Sequence, residues 1–462
     1  MKTLKKLRNL SFLFLGLILA TSCSDDDNEI IEFVPTNNIV QITQATPQLS
    51  SLETALLKYP DLVDLLSNSG TFTVFAPDND AFDALLTAIG QTSIDDIPED
   101  VLKNVLQYHV YATAALEASA VTTGTITMAN GESADIVADS NGVFIQNTQV
   151  TAVDAIATNG VVHIIDNVMV PPSILPIVGT IVAPAYFNKD FTTLIAAVEN
   201  ANTDILGLLL GNGPSGNGLT LFAPTNAAFE AAGITDVAGA DAVLAYHVID
   251  ATITESMLPT TSGSAAEVET LGGNIYLTNA GGDVSINGTT IVTATDITGS
   301  NGIVHVIDRT LVPPTNTINE IVASFASGDP AEFTLLAAAL SRAGLSDFFS
   351  GDGPFTVFAP TDAAFLAAGL DEAAINATAP EAVAGILTHH VVKPNAYVFS
   401  TDLTNGNVTM LNDQDVTINL GNLTVQDASG STPPAGLVAS LLNVLATNGV
   451  VHVIDKVLLP SS

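Results

Sequence analysis

Asn159-Gly160-Val161-Val162-His163-Ile164-Ile165-Asp166 decides the reading of this chain, because the string comes back twice. It returns as Asn301-Gly302-Ile303-Val304-His305-Val306-Ile307-Asp308 and again as Asn448-Gly449-Val450-Val451-His452-Val453-Ile454-Asp455. Asn-Gly signals a turn, and the β-branched run behind it reads as a strand. Val161, His163 and Ile165 share one face of that strand; Val162, Ile164 and Asp166 share the other. A strand apolar on both faces is a strand buried on both faces. Prolines close each copy, at Pro171-Pro172, Pro313-Pro314 and Pro460. The string therefore reads as the last strand of a domain, and three copies in 462 residues predict three domains. The histidine recurs after 142 and then 147 residues, long enough for each unit to bury its own core.

Upstream of each copy the same order of signals appears. In the first unit Leu49, Leu52, Leu56 and Leu57 have helical spacing, and Leu62 to Leu66 forms a second helical run that stops at Ser69-Gly70. Thr71 to Ala76 reads as a strand. Asp78 is placed to cap a helix carrying Ala81 and Phe82, with Asp80 in its first turn. Val101 to Leu106 predicts another amphipathic helix, ending at Tyr108-His109. Short alternating strands follow, such as Thr125 to Met128 and Val143 to Ile145, and then the terminal string. Helices first and strands after predict an α+β domain, not alternating βαβ units. The strand-to-helix junction recurs at Phe222 to Phe229 and at Phe358 to Phe365. Tyr246-His247 matches Tyr108-His109, whereas the third unit has His389-His390. The junction proline precedes the second residue of that pair by 32, 23 and 30 residues, so the middle unit is expected to lack a turn or two of helix.

Phe-Ala-Pro-Thr-Asp/Asn-Ala-Ala-Phe, a Tyr-His pair and Asn-Gly-Val-Val-His-Val-Ile-Asp, in that order and three times over, resemble the hallmarks of fasciclin domains. The resemblance implies three tandem α+β domains, each a β-wedge or sandwich-like sheet region packed with several short helices. The expected domains are 38–172, 176–314 and 316–461, joined by short linkers that prolines make stiff. It also implies adhesion, with other cells, matrix proteins or polysaccharide as partners. In animal members the Tyr-His region is linked to integrin binding. Tyr108, His109, Tyr246, His247, His389 and His390 are thus the candidate adhesion segment, with His389 departing from the pattern.

The N-terminus reads separately. Lys2, Lys5, Lys6 and Arg8 precede an apolar run from Leu10 to Ala20, too short to span a bilayer, so residues 1–22 are expected to be a signal peptide. Leu19-Ala20-Thr21-Ser22-Cys23 resembles a bacterial lipoprotein cleavage site, although Ala20 stands where leucine is more usual. Cys23 is the only cysteine and cannot form an intramolecular disulfide, so lipidation is its expected role and the membrane an expected partner. The acidic run Ser24 to Glu29 reads as a solvated tether within 23–37, and it resembles the surface-export signal of Bacteroidetes lipoproteins. The expected location is the outer membrane, exposed at the cell surface.

The formal charge of the chain is −37. All 48 acids follow Cys23 and only 7 basic residues do, so the region after Cys23 carries −41. Such a surface repels phosphate backbones, which excludes nucleic acid as a partner. It attracts divalent cations diffusely.

Catalytic signals are weak. Zinc needs three or four convergent ligands, and each repeat supplies two histidines, the third adding His389, all inside apolar runs. His163, His305 and His452 read as buried imidazoles bonded to backbone or a nearby acid. Asp166, Asp308 and Asp455 read as strand-end acids that fix a turn. No serine keeps its place beside the histidine in all three units, and no nucleophile elbow occurs. Gly211-Asn212-Gly213-Pro214-Ser215-Gly216 follows a helical run and precedes a strand, the reverse of a dinucleotide site, and reads as a loop. These features predict no metal, no cofactor and no enzyme. The alternative is a glycan or small-ligand module, or a cryptic hydrolase. Aromatic content of 6 % without tryptophan disfavours a dedicated sugar binder.

Overall fold

The computed structural model describes residues 34–461 apart from 235, 236, 238, 261–264 and 431. Cys23 and the predicted signal peptide lie outside the described residues.

The first domain begins with three short helices, Ile39–Ala45, Ser50–Leu56 and Pro60–Ser67. Asn38 starts the first by a reciprocal cap with Gln41, which satisfies backbone N–H groups that a helix start leaves free. Strand β1 (Phe72–Pro77) interrupts the helices. Asp78 then accepts from Ala81 N at 2.9 Å and starts the helix Asn79–Ile89. Gly90, in the left-handed region at φ 72°, ends it. The helix Glu99–Gln107 leads into β2 (Val110–Tyr111). Strands β3 (Gly124–Thr127), β4 (Ser133–Asp139), β5 (Gly142–Ile145), β6 (Thr148–Ala157) and β7 (Gly160–Ile165) follow.

These seven strands form one sheet in the order β2-β1-β7-β6-β5-β4-β3. The repeated string is β7, a central strand that pairs parallel with β1 and antiparallel with β6. The parallel pairing departs from simple helices-then-strands segregation. It requires the whole run between β1 and β7 to act as a crossover. The sheet curls until Ala129 N, beyond β3, donates to Val110 O on β2 at 2.8 Å, giving it a barrel-like form. Two cores result. Val162 and Ile164 face the helices, with Leu52, Leu62, Phe82 and Leu102. Ile165 faces the inside of the curled sheet, with Phe75, Tyr108, Met128, Ile136, Ile145 and Met169. Each buried aliphatic side chain contributes about 1.5–3 kcal/mol, so apolarity on both faces of β7 holds the two layers together.

The Asn-Gly signal has a finer meaning than a turn. The two-residue loop between β6 and β7 is Thr158-Asn159, and Gly160 opens the strand. A Cβ on Gly160 would lie 2.1 Å from Phe72 O. Glycine is there so that two parallel strands can approach at their start.

The second domain repeats the plan with β8 (Leu219–Pro224), β9 (Val248–Ile249), β10 (Ala266–Thr270), β11 (Gly273–Ala280), β12 (Asp283–Ile286), β13 (Thr290–Gly299) and β14 (Gly302–Ile307), in the same sheet order. Its helices Asn226–Ala231 and Asp241–Ala245 are shorter than Asn79–Ile89 and Glu99–Gln107, which accounts for the short spacing there. The third domain has β15 (Phe355–Pro360), β16 (Gly406–Thr409), β17 (Asp415–Asn419), β18 (Thr424–Gln426), β19 (Ala435–Gly436), β20 (Val444–Ala446) and β21 (Gly449–Ile454). Its sheet is split into β15-β21-β20 and β16-β17-β18-β19. Single bridges such as Val392 to Met410 and Leu437 to Ile454 join the halves.

The linkers are not free spacers. Ile174 and Ile177, at and after the first linker, are buried. Gln91 Nε2 donates to Pro184 O at 3.2 Å and Lys189 Nζ to Asp95 O at 3.0 Å, tying the first domain to the second.

Candidate functional site

Three polar assemblies recur in every domain, and each uses residues of the repeated strings. The first is an asparagine staple. Asn159 Oδ1 accepts from Ile39 N at 3.0 Å, and its Nδ2 donates to Leu66 O and Asn68 O. Asn301 does the same for Ile181 N, Leu209 O and Gly211 O. Asn448 does it for Ile318 N, Phe349 O and Gly351 O. One amide thus satisfies the start of the domain and the carbonyls just before its first strand, where helix ends leave them unpaired. The sequence showed this asparagine only as half of a turn signal.

The second assembly centres on the terminal-strand histidine. His163 Nε2 donates to Leu116 O at 2.7 Å, and its Nδ1 accepts from Asp154 N at 3.3 Å. His305 bonds Ile253 O and Asp296 N, and His452 bonds Val398 O and Asn443 N, in the same way. A threonine completes the link. Thr73 Oγ1 accepts from Leu116 N at 2.8 Å and donates to Ala114 O at 2.7 Å. Thr220 and Thr356 repeat both bonds. Burial pulls His163 below the ordinary imidazole value and His452 down to about 4.

The third assembly is the Tyr-His pair. His109 Nδ1 donates to Val105 O at 2.7 Å, and Nε2 accepts from Met169 N at 2.8 Å. His247 and His390 do likewise with Val243 O and Leu311 N, and with Ile386 O and Leu458 N. The two partners fix the neutral tautomer, proton on Nδ1. A second proton on Nε2 would point at another N–H. Burial accordingly pulls His109, His247 and His390 down to about 4. Tyr108 and Tyr246 are 0 % exposed. Their hydroxyls donate to Ser133 O and Asn274 O, both at 2.7 Å. Desolvation pushes Tyr246 up to about 12.

The candidate adhesion residues are therefore not at the surface. Tyr108, His109, Tyr246, His247, His389 and His390 are all at most 2 % exposed, and a partner cannot touch them in the folded chain. Their apolar flanks put them in the core, and the pair ties the preceding helix to the segment after the last strand. His389, in place of tyrosine, bonds Asn412 Oδ1 through Nδ1 at 3.1 Å, and its Nε2 is buried without a partner. The shorter ring stops short of the partners that the tyrosine hydroxyls reach.

Asp166, Asp308 and Asp455 are exposed and do not fix a local turn. Their Oδ1 atoms accept from Gln149 N, Ile291 N and Gly436 N. They tie the end of the terminal strand to a segment 17 to 19 residues earlier. Among the described residues no group of three His, Cys, Asp or Glu is placed to hold a metal, and no helix is long and apolar enough to cross a membrane. Two apolar cavities lie between helices and sheet, one beside His247 and Leu244, the other beside His390 and Leu336. They hold about 10 and 20 Å³, room for about one water each.

Residues 47–171, 189–313 and 331–460 each match the fasciclin domain. The chain belongs to the fasciclin-domain family. The transforming growth factor-beta-induced protein ig-h3 of Sus scrofa is 28 % identical over 444 residues, 92 % of this chain and 58 % of that protein. Human periostin is 31 % identical over 327 residues, 68 % of this chain and 36 % of periostin. The immunogenic protein MPB70 of Mycobacterium bovis is 34 % identical over 133 residues, 28 % of this chain and 65 % of that protein. The chain spans little more than half the length of the ig-h3 protein it matches. Among solved structures, a FAS1 domain pair from the insect cell adhesion molecule fasciclin I is 18 % identical, with a TM-score of 0.28. It covers 58 % of this chain and 97 % of that one.

Proposed function

We propose that this protein is a lipid-anchored surface adhesion protein whose three fasciclin domains bind cells or matrix through their outer faces. The observation that carries this is the inward use of reactive side chains. Six of the seven histidines, and both tyrosines of the pairs, spend their polar atoms on partners inside the domain. A hydrolase needs a base facing its substrate, whereas these imidazoles are turned into the domain interior. What the fold offers instead is surface, repeated three times. Linked copies of a weak contact raise avidity without new chemistry. The −41 charge after Cys23 favours divalent cations as bridges to an anionic partner. Cys23 would supply the anchor and the acidic tether the stand-off.

The test displays the region after Cys23, and each domain alone, on beads, with calcium or with chelator. The beads are offered to whole cells and to matrix protein and polysaccharide preparations. The three-domain form with calcium is expected to bind best. A chain that binds none of these yet turns over an ester or glycoside would overturn the reading.

A further inference from the structure

At four positions that meet at the seam between the second and third domains, one repeat differs from a sibling. The first is Asn443. In each domain a residue in the left-handed region gives its N–H to the strand histidine: Asp154 at φ 60°, Asp296 at φ 55° and Asn443 at φ 57°. Its side-chain Oδ1 then accepts from Ala118 N, Glu255 N or Ser400 N. Two domains use aspartate and the third uses asparagine. The amide does what a carboxylate cannot: Asn443 Nδ2 donates to Gly288 O of the second domain at 2.7 Å, and to Ser400 Oγ at 2.8 Å.

The second departure is the acceptor. Gly288 lies in the turn between β12 and β13, at φ 69°. The matching turn of the first domain is Gln146-Asn147, with Asn147 at φ 61°. A Cβ on Gly288 would stand 2.7 Å from Phe399 Cβ and 2.8 Å from Asn443 Nδ2. Side-chain space at this turn is removed by the third domain, not by the second.

The third and fourth are aromatic. Tyr276 O accepts from Asn287 N just as Asp135 O accepts from Gln146 N, so the two residues occupy one place in the fold. Asp135 is exposed, whereas Tyr276 is 7 % exposed. Phe399 follows Val398, the carbonyl partner of the strand histidine, where the siblings have Glu117 and Thr254. Phe399 is 0 % exposed. The Tyr276 ring lies 4.1 Å from that of Tyr397 and 5.6 Å from that of Phe399, centroid to centroid. Thr278 Oγ1 and Thr401 Oγ1, 2.8 Å apart, extend the contact.

We infer that this seam is a dedicated interdomain interface, and that Tyr276, Gly288, Phe399 and Asn443 are the residues that lock domains two and three into one rigid unit. Each of these four residues suits what it meets across the seam: apolar against apolar, donor against acceptor, no side chain where space is missing. The locked pair presents one composite surface to a binding partner, and the faces inside the seam are closed to it.

The test reverts the seam to residues that the sibling repeats already carry, so the fold of each domain has precedent for them. The region after Cys23 is made with Asn443→Asp and Tyr276→Asp, singly and together, and followed by hydrogen exchange and small-angle X-ray scattering. The double variant is expected to raise exchange in 284–290 and 397–403 by roughly tenfold or more and to increase the radius of gyration. Exchange in 161–165 and 303–307 should stay as in the wild type. Unchanged exchange and radius in the double variant would overturn the inference. So would a loss of protection spread through the whole of either domain, because the residues would then serve that domain's own fold.

Discussion

Acid should loosen this protein through its buried histidines before its carboxylates protonate. His247 offers the simplest case. It is folded as a neutral ring, with Nδ1–H on Val243 O and Nε2 taking Leu311 N, and burial lowers it from 6.5 to about 4. In the unfolded chain it takes a proton below about 6.5. Its contribution is therefore whole above that pH, falls as the pH drops toward 4, and is exhausted below. The full shift corresponds to about 3 kcal/mol, of which about 2 kcal/mol is gone by pH 5. The third domain carries two such rings, His390 and His452, both near 4. It should lose about twice as much, a large part of a typical domain's stability. Carboxylates titrate mostly below this window, so the charge repulsion of the acidic surface changes little within it. The assay is urea unfolding of the region after Cys23 at pH 7.5, 6.5, 5.5 and 5.0, followed by circular dichroism and by hydrogen exchange to resolve the domains. His247→Gln keeps a donor and an acceptor but cannot titrate. It should cost about 1–3 kcal/mol at pH 7.5 and flatten the pH response of the second domain alone. Equal midpoints at pH 7.5 and 5.0, or a wild-type pH slope in His247→Gln, would refute the reasoning.

Asn448→Ala removes an acceptor for Ile318 N and donors for two carbonyls, and should lower the urea stability of the third domain by roughly 2–4 kcal/mol. Gly302→Ala places a Cβ 2.0 Å from Leu219 O and should cost more than about 3 kcal/mol in the second domain, read as a lower unfolding midpoint. Cys23→Ala should move the protein from the membrane to the soluble fraction of a bacterial host; a wild-type chain that takes up no labelled palmitate would rule out the anchor.

The amino-acid sequence by itself determined the number of domains, their α+β content and most element positions. These rest on local rules. Asp78 caps a helix because of the three residues after it, and Val161 to Ile165 form a strand because β-branched side chains favour one. Repetition made the rules legible three times over. It also fixed the burial of the terminal strand, since apolar residues on both faces admit no exposed side. Tertiary structure alone decided what the polar residues do. Tyr108-His109 looks the same in sequence whether it faces a partner or the core, because its bonds reach Ser133 and Met169, far along the chain. The roles of Asn159 and Thr73 were hidden for the same reason: a staple between residues 120 apart leaves no periodic trace. Asn443 shows the limit most plainly. Its difference from Asp154 and Asp296 is one amide in the sequence, and only the fold places that amide against the carbonyl of Gly288, 155 residues away.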